Sequence, residues 1–130
     1  MSGRFLDHLG IHESTTETGR PGHDAGLAVT TDARHTNANG GVHGGLIATI
    51  LDSTMGEAVR AALEDGQTAV TVSMTVTYLR GAEEGDELRA SAELRKRGGS
   101  LAMVEADVVR ADDEEPIAHG VATFSILDAN

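Results

Sequence analysis

Apolar residues recur at positions 47, 50, 51, 55, 58, 59, 62 and 63, steps of three and four that place them on one stripe of an α-helix. The spacing predicts a helix over about 43–64, closed by Asp65-Gly66. Immediately after it the period changes to two. Val70, Val72, Met74, Val76 and Tyr78 alternate with Thr71, Ser73, Thr75 and Thr77, which reads as a half-buried strand. Leu88, Ala90, Ala92 and Leu94 repeat the alternation, and Arg97-Gly98-Gly99-Ser100 is a hairpin signal. Two further strands, Ala102 to Val109 and Ile117 to Leu127, flank the acidic turn Asp112-Asp113-Glu114-Glu115-Pro116. One long helix followed by four strands on tight turns gives an α+β class: a curved antiparallel sheet with the helix lying on one face.

Upstream, Ser2 to Leu9 reads as a short helix with Phe5 and Leu9 on one side. Ile11 to Thr18 and Ala25 to Thr31 read as strands around the turn Gly19-Arg20-Pro21-Gly22. At 130 residues the expectation is a single domain over 1–130, with a short N-terminal helix and strand at about 1–19, the long helix and its approach at about 34–64, and strands over about 67–127.

Charge and composition narrow the function. Asp plus Glu number 21 against 10 Lys plus Arg, a formal charge of −11, so the far field repels phosphate and argues against nucleic-acid or anionic-membrane binding. Three aromatics (Phe5, Tyr78, Phe124) leave no stacking platform for bases. The absence of cysteine removes thiol nucleophiles, disulfide scaffolds and zinc–thiolate sites. With no signal peptide and no apolar run long enough to span a bilayer, the expected location is the cytoplasm.

Chemistry concentrates between His35 and Asp52, where Asn and Gly crowd the approach to the helix and an acid sits two turns inside it. Glycines at a helix N-terminus leave backbone N–H groups uncovered at the positive end of the dipole, suited to an oxygen that gains charge as a carbonyl does under attack. Gly44 is the candidate oxyanion donor. Asp52 lies eight residues further on, about 12 Å along the same helix, so one reacting carbon cannot touch both groups of a single chain. The acid then comes from a second subunit. On the helical wheel Asp52 sits at the edge of the apolar stripe between Ala48 and Val59, which suits a carboxylate at a sheltered interface. It can attack a carbonyl carbon directly or deprotonate a water.

Each of these residues also has an ordinary reading. A single acid in a helix usually lies on a solvated face, and Gly44-Gly45 alone would mark a loop or close helix packing. His35, His43 and Asp52 match no helical metal-ligand spacing, so no metal is expected. His8, His12, His23 and His119 read as surface or strand residues. Arg95-Lys96-Arg97 is equally a solvated hairpin arm or the local cationic patch that a phosphate-bearing ligand would need against an acidic background.

Taken as a set, Asn37, Gly40, His43, Gly44, Gly45 and Asp52 fall on the pattern Asn-x-x-Gly-x-x-His-Gly-Gly with an acid nine positions after the His. This resembles the hotdog-fold thioesterases, in their PaaI-like (phenylacetic-acid-pathway) branch, and the resemblance extends through Val70–Arg80 and the Gly85-Asp86 turn to about residue 127. It implies a hotdog fold and an acyl-CoA thioesterase acting on an aryl or medium-chain acyl group, with coenzyme A as part of the substrate and no separate cofactor. It also implies a homodimer in which the acid of one protomer faces the glycine N–H of the other, assembled as a dimer of dimers. By the same resemblance Asn37 orients the water or the carbonyl, and His43 holds the loop or bonds near the thioester. Thr71 supplies a hydroxyl that places the water, with Ser73 a neighbour on the same strand face. Gly45 and Arg80 lie along the coenzyme A path. The rival from another class is a non-catalytic hotdog protein that binds acyl-CoA or a small aromatic ligand, which has no need of Asp52. A hydratase would want a His with an acid in another pattern, and a purely structural protein leaves Asn37–Asp52 unexplained.

Overall fold

A computed structural model of the chain describes residues 3–14 and 26–128. In order they form α1 (Arg4–Leu9), β1 (His12–Glu13), β2 (Gly26–Thr30), a 3-10 turn over Ala33–His35, α2 (Gly44–Arg60), β3 (Gln67–Tyr78), β4 (Glu87–Arg97), β5 (Leu101–Arg110) and β6 (Pro116–Asp128). Every strand pairing is antiparallel, and the sheet runs β1-β2-β4-β5-β6-β3. α2 packs against β2 through β6, so the sheet curls around one central helix, the α+β arrangement of a hotdog fold. The turn expected at Gly19–Gly22, Ser2, and the strand residues Thr15 to Thr18 and Ala25 lie outside the described residues.

The helical stripe is buried as its spacing requires: Ile47, Ile50, Leu51, Met55 and Val59 are at most 3% exposed. They meet Leu88, Ala90, Ala106, Val108, Ile117 and Phe124 of the sheet, all buried. Small sheet residues let the helix settle close. A Cβ on Gly120 would come within 3.3 Å of Met55 and 3.4 Å of Leu51, so β6 passes directly under the helix there. The helix stops at Arg60 rather than near 64. Its last turn tightens, with Ala62 N–H donating to Val59 C=O and Leu63 N–H to Arg60 C=O, before the left-handed Gly66 turn.

Among the described residues three register slips interrupt the sheet, one of them at Val108–Val109 where β5 meets β6, and the other two, in β3 and β4, bear on the candidate residues. Between Thr71 and Ser73 the register with β6 slips, so Val72 is an extra residue. Ala69 and Thr71 pair with the core-facing Ile126 and Phe124, and after the bulge the inward set becomes Met74, Val76 and Tyr78. The uninterrupted alternation expected from Val70 to Tyr78 therefore holds only from Met74 onward. Val70 and Val72 are exposed, and Thr71 points inward. A second slip, between Leu94 and Lys96, makes Arg95 the extra residue of β4. Lys96 then falls in register with exposed Met103, and Arg97 with buried Ala102.

Candidate active site

His43 is the N-cap of α2, and its geometry sorts the first three N–H groups of the helix. Its ring Nδ1 accepts from Gly45 N–H at 2.8 Å, and its carbonyl accepts from Leu46 N–H at 3.0 Å. Gly44 N–H has no partner among the described residues and stands at the positive end of a 17-residue helix. The cap thus satisfies its neighbours and leaves this one donor open. Because Nδ1 accepts, the His43 proton sits on Nε2, and the ring is exposed.

The other face of Gly44 is closed by Tyr78 at the end of β3. The phenol O–H donates to Gly44 C=O at 2.7 Å, and a Cβ at Gly44 would lie 3.2 Å from the ring. A glycine here lets the aromatic ring rest on the helix backbone. Sequence reasoning assigned Tyr78 only to a half-buried strand face. The available signal was its place as the last inward residue of a strand that starts beside the acid.

Asp52 lies two turns further along α2, half-buried, and Oδ1 accepts from Thr71 Oγ1 at 2.7 Å. The Val72 bulge produces this contact by turning Thr71 toward the helix. Ser73 is not on the same face as Thr71. It lies with Thr75, Lys96 and Met103 around a depression on the outer side of the sheet.

Asn37 shapes the glycine-rich approach. Its N–H donates to Gly41 C=O at 2.8 Å, its C=O accepts from Gly40 N–H at 3.0 Å, and its side-chain Oδ1 accepts from Asn39 N–H at 2.9 Å. Gly40 sits at φ +87° in this turn. The turn is tied down by Val42 N–H donating to Ala82 C=O and by His43 N–H donating to His35 C=O. His35 is 2% exposed, with Nε2–H donating to Leu9 C=O at 2.7 Å and Nδ1 accepting from Asp32 N–H at 3.0 Å. Both ring nitrogens are engaged by backbone, so it acts as a structural pin.

The cations divide. Arg80 lines the same open groove of about 550 Å³ as Gly44, Gly45, Tyr78 and Leu79, and pairs with Glu115 at 2.7 Å. Arg95 pairs with Glu93 and Glu105 at 3.0 and 3.4 Å. Arg97 donates to Ala62 C=O at 3.3 Å and to Gln67 Oε1 at 2.6 Å, bracing the far end of α2. Lys96 faces outward. The run Arg95-Lys96-Arg97 is therefore split across the sheet by the bulge and does not form one patch.

An open N–H donor at the head of the central helix and a hydroxyl-held carboxylate eight residues on, inside a hotdog sheet, define a hotdog protein of thioesterase type. The chain belongs to the thioesterase superfamily: the model of the family described as Thioesterase superfamily matches residues 39–117, which contain Gly44, Asp52, Thr71 and Tyr78. It is similar to acyl-coenzyme A thioesterase 13 of Mus musculus, 36% identical over 89 residues, covering 68% of this chain and 63% of that protein. The chain therefore spans a little under two thirds of that relative's length. Among solved structures it is similar to a Bacillus halodurans protein determined with CoA, with a TM-score of 0.74, 34% identity, and coverage of 78% of this chain and 70% of that one. The fold is also that of the E. coli PaaI protein from the phenylacetic acid degradation operon, with a TM-score of 0.82, 22% identity, and coverage of 97% and 86%.

Proposed function

We propose that this protein hydrolyses acyl-CoA thioesters as a homodimer, with Gly44 N–H of one protomer and Asp52 of the partner subunit acting on the same carbonyl. The observation that carries the reading is the pair of prepared groups on α2: a donor left open by its own cap and a carboxylate oriented by Thr71. Set about 12 Å apart along one helix, they cannot serve one carbon from the same chain.

The β3 edge supports the second copy. It is a 12-residue edge strand with neither charge nor proline, the devices that usually protect such an edge. Val70, Val72, Tyr78 and Leu79 are exposed along it. Thr71 touches Asp52 and Tyr78 touches Gly44, so these two residues of β3 mark the two halves of the site. Antiparallel self-pairing that sets Thr71 opposite Tyr78 of the partner subunit brings Asp52 to the partner subunit's Gly44.

In that site the thioester oxygen takes Gly44 N–H as its negative charge develops. Asp52 supplies the attack, as nucleophile or through a water, and Asn37 and His43 border the approach. Thr71 keeps one carboxylate oxygen engaged and leaves the other free. The CoA thiolate leaves and takes up a proton that comes from water. Where Asp52 acts as base that water has attacked the carbonyl, and where Asp52 is the nucleophile water then hydrolyses the mixed anhydride, so that the acid departs and the carboxylate is restored. CoA in the Bacillus halodurans relative and the activity named for the mouse relative support an acyl-CoA substrate. Arg80, exposed and at the groove, is the cation available to a CoA phosphate, because an exposed ion pair such as Arg80–Glu115 holds it by only about 1 kcal/mol or less. The proposed acyl group is aryl or medium-chain, and the proposed assembly pairs dimers into a tetramer in the cytoplasm.

Thiol release from phenylacetyl-, hydroxybenzoyl-, acetyl-, hexanoyl- and palmitoyl-CoA tests the reading. At least one class should turn over, and folded Asp52→Asn should lose at least about a hundredfold. Binding without turnover would establish instead a non-catalytic acyl-CoA-binding protein.

A further inference from the structure

On the side of the α2 N-terminus away from Tyr78 there is a second pocket of about 390 Å³, walled by Phe5 and Leu9 of α1 and by Leu46 and Thr49 of α2, with residues 34–36 and His43 also lining it. We propose that this pocket receives the acyl chain of the thioester, so that α1 sets acyl specificity. The proposal rests on the thioesterase reading above and adds to it where the two arms of the substrate lie.

The groove and the pocket share Gly45. A Cβ there would lie 2.9 Å from the His43 ring, so only a bare backbone leaves the crossing over the first helical turn clear. A thioester with its oxygen on Gly44 N–H sends one arm to each side of that turn. The groove side carries Arg80, which suits the phosphorylated arm; the pocket side carries Phe5, Leu9 and Leu46, which suit a hydrocarbon, and its own cation, Arg34, is held by His8 C=O and paired with Asp32 at 3.2 Å. Its volume is near the lower end of the roughly 300–1,000 Å³ usual for small-molecule sites, enough for a single ring or a medium aliphatic chain.

α1 is also held more firmly than its six residues would manage alone. The buried His35 donates to Leu9 C=O, the Arg34 guanidinium donates to His8 C=O, and Ile11 N–H donates to Leu6 C=O. His35 thus ties the wall of the pocket to the segment that runs directly into the Asn37–Gly45 turn. Phe5, meanwhile, is 63% exposed despite this anchoring, an apolar ring standing at the mouth of an apolar pocket.

The test is the acyl-length dependence of kcat/KM from acetyl- to octanoyl-CoA, with phenylacetyl-CoA, in wild type, Phe5→Ala and Thr49→Phe. Each methylene that enters an apolar pocket raises kcat/KM by about fourfold until the pocket is full. Thr49→Phe fills the space, and the ratio of hexanoyl- to acetyl-CoA should fall at least tenfold. Phe5→Ala opens the mouth and should lower the phenylacetyl-to-acetyl ratio several-fold. Ratios within twofold of wild type in both variants overturn the pocket while leaving thioester hydrolysis intact. If wild type hydrolyses no acyl-CoA, the catalytic reading falls, and binding of non-hydrolysable acyl-CoA thioethers then decides. Chain-length-dependent affinity abolished by Thr49→Phe keeps the pocket, and equal affinities in the two proteins reject it.

Discussion

Thr71 Oγ1 donates to Asp52 Oδ1 at 2.7 Å, joining the edge strand to the third turn of the central helix. The contact exists because Val72 is inserted as a bulge, which swaps the face on which Thr71 lies. A hydrogen bond to a charged group is worth about 1.5–3 kcal/mol, enough to fix which carboxylate oxygen is spent on the scaffold and which faces the substrate.

Removing that hydroxyl has a defined expected cost. Thr71→Ala should lower kcat by about ten- to a hundredfold, the kinetic equivalent of losing such a bond, while Thr71→Ser, which keeps the hydroxyl, should stay within about threefold. If Thr71 acts through Asp52, adding Thr71→Ala to Asp52→Asn costs little more. Steady-state kinetics on the four proteins checks this, and fully additive losses would show that the two residues act separately.

Tyr78 is expected to act on rate through Gly44. Tyr78→Phe keeps the ring and deletes one neutral hydrogen bond, so kcat should fall about three- to tenfold with KM nearly unchanged. Gly44→Ala puts a methyl 3.2 Å from the ring carbon and oxygen and should cost more. The double variant should cost less than the sum, because loss of the hydroxyl gives that methyl room. A double variant at or beyond the sum would mean that the methyl blocks substrate rather than displacing the ring.

Much of this architecture was legible from period alone. The stripe from Ile47 to Leu63 and the alternation of Leu88 to Leu94 define a helix on an antiparallel sheet. The bulges were not legible. Val70 and Val72 continue the apolar alternation without a break, and nothing in residues 69–73 marks an inserted residue, since glycine, the usual cue, is absent. Two consequences share that cause: Ser73 does not lie on the face of Thr71, and of the two readings of Arg95-Lys96-Arg97 the single patch is the one the bulge removes. The cap was hidden for a different reason. His43 was weighed as a catalytic or loop-holding residue, and only geometry shows that it occupies the N–H of Gly45 and leaves that of Gly44 open.

The turn before β6 has a pH signature. Two hydrogen bonds from the Arg110 guanidinium, at 3.0 and 2.8 Å, and one from Glu115 N–H hold the Asp113 carboxyl at about 2. Its unfolded value is about 3.9, so its contribution to stability is present above about pH 4 and lost as pH falls through 2. The same turn carries Glu115, the partner of Arg80 at the groove. Carboxyl-resolved NMR titration should find the Asp113 midpoint near 2 in wild type and near 4 in Arg110→Gln; a wild-type midpoint near 4 rejects the assignment.

The division of the site between protomers can be tested with two inactive proteins. Proline at the first position of a helix fits the backbone there but has no N–H, so Gly44→Pro deletes the donor, and Gly44→Ala, with the same tight Cβ contact to Tyr78 but its N–H kept, separates the donor from the crowding. His43, at φ −65° and ψ 133°, already has the extended conformation required before proline. Gly44→Pro and Asp52→Asn should each be inactive alone. In a co-refolded mixture half of the dimers carry one chain of each kind. Each such dimer keeps one intact site, made of Gly44 from the Asp52→Asn chain and Asp52 from the Gly44→Pro chain, so activity should return to roughly a quarter of wild type. A mixture as inactive as its components would place both groups within one protomer's site, and the shared-site mechanism would fail.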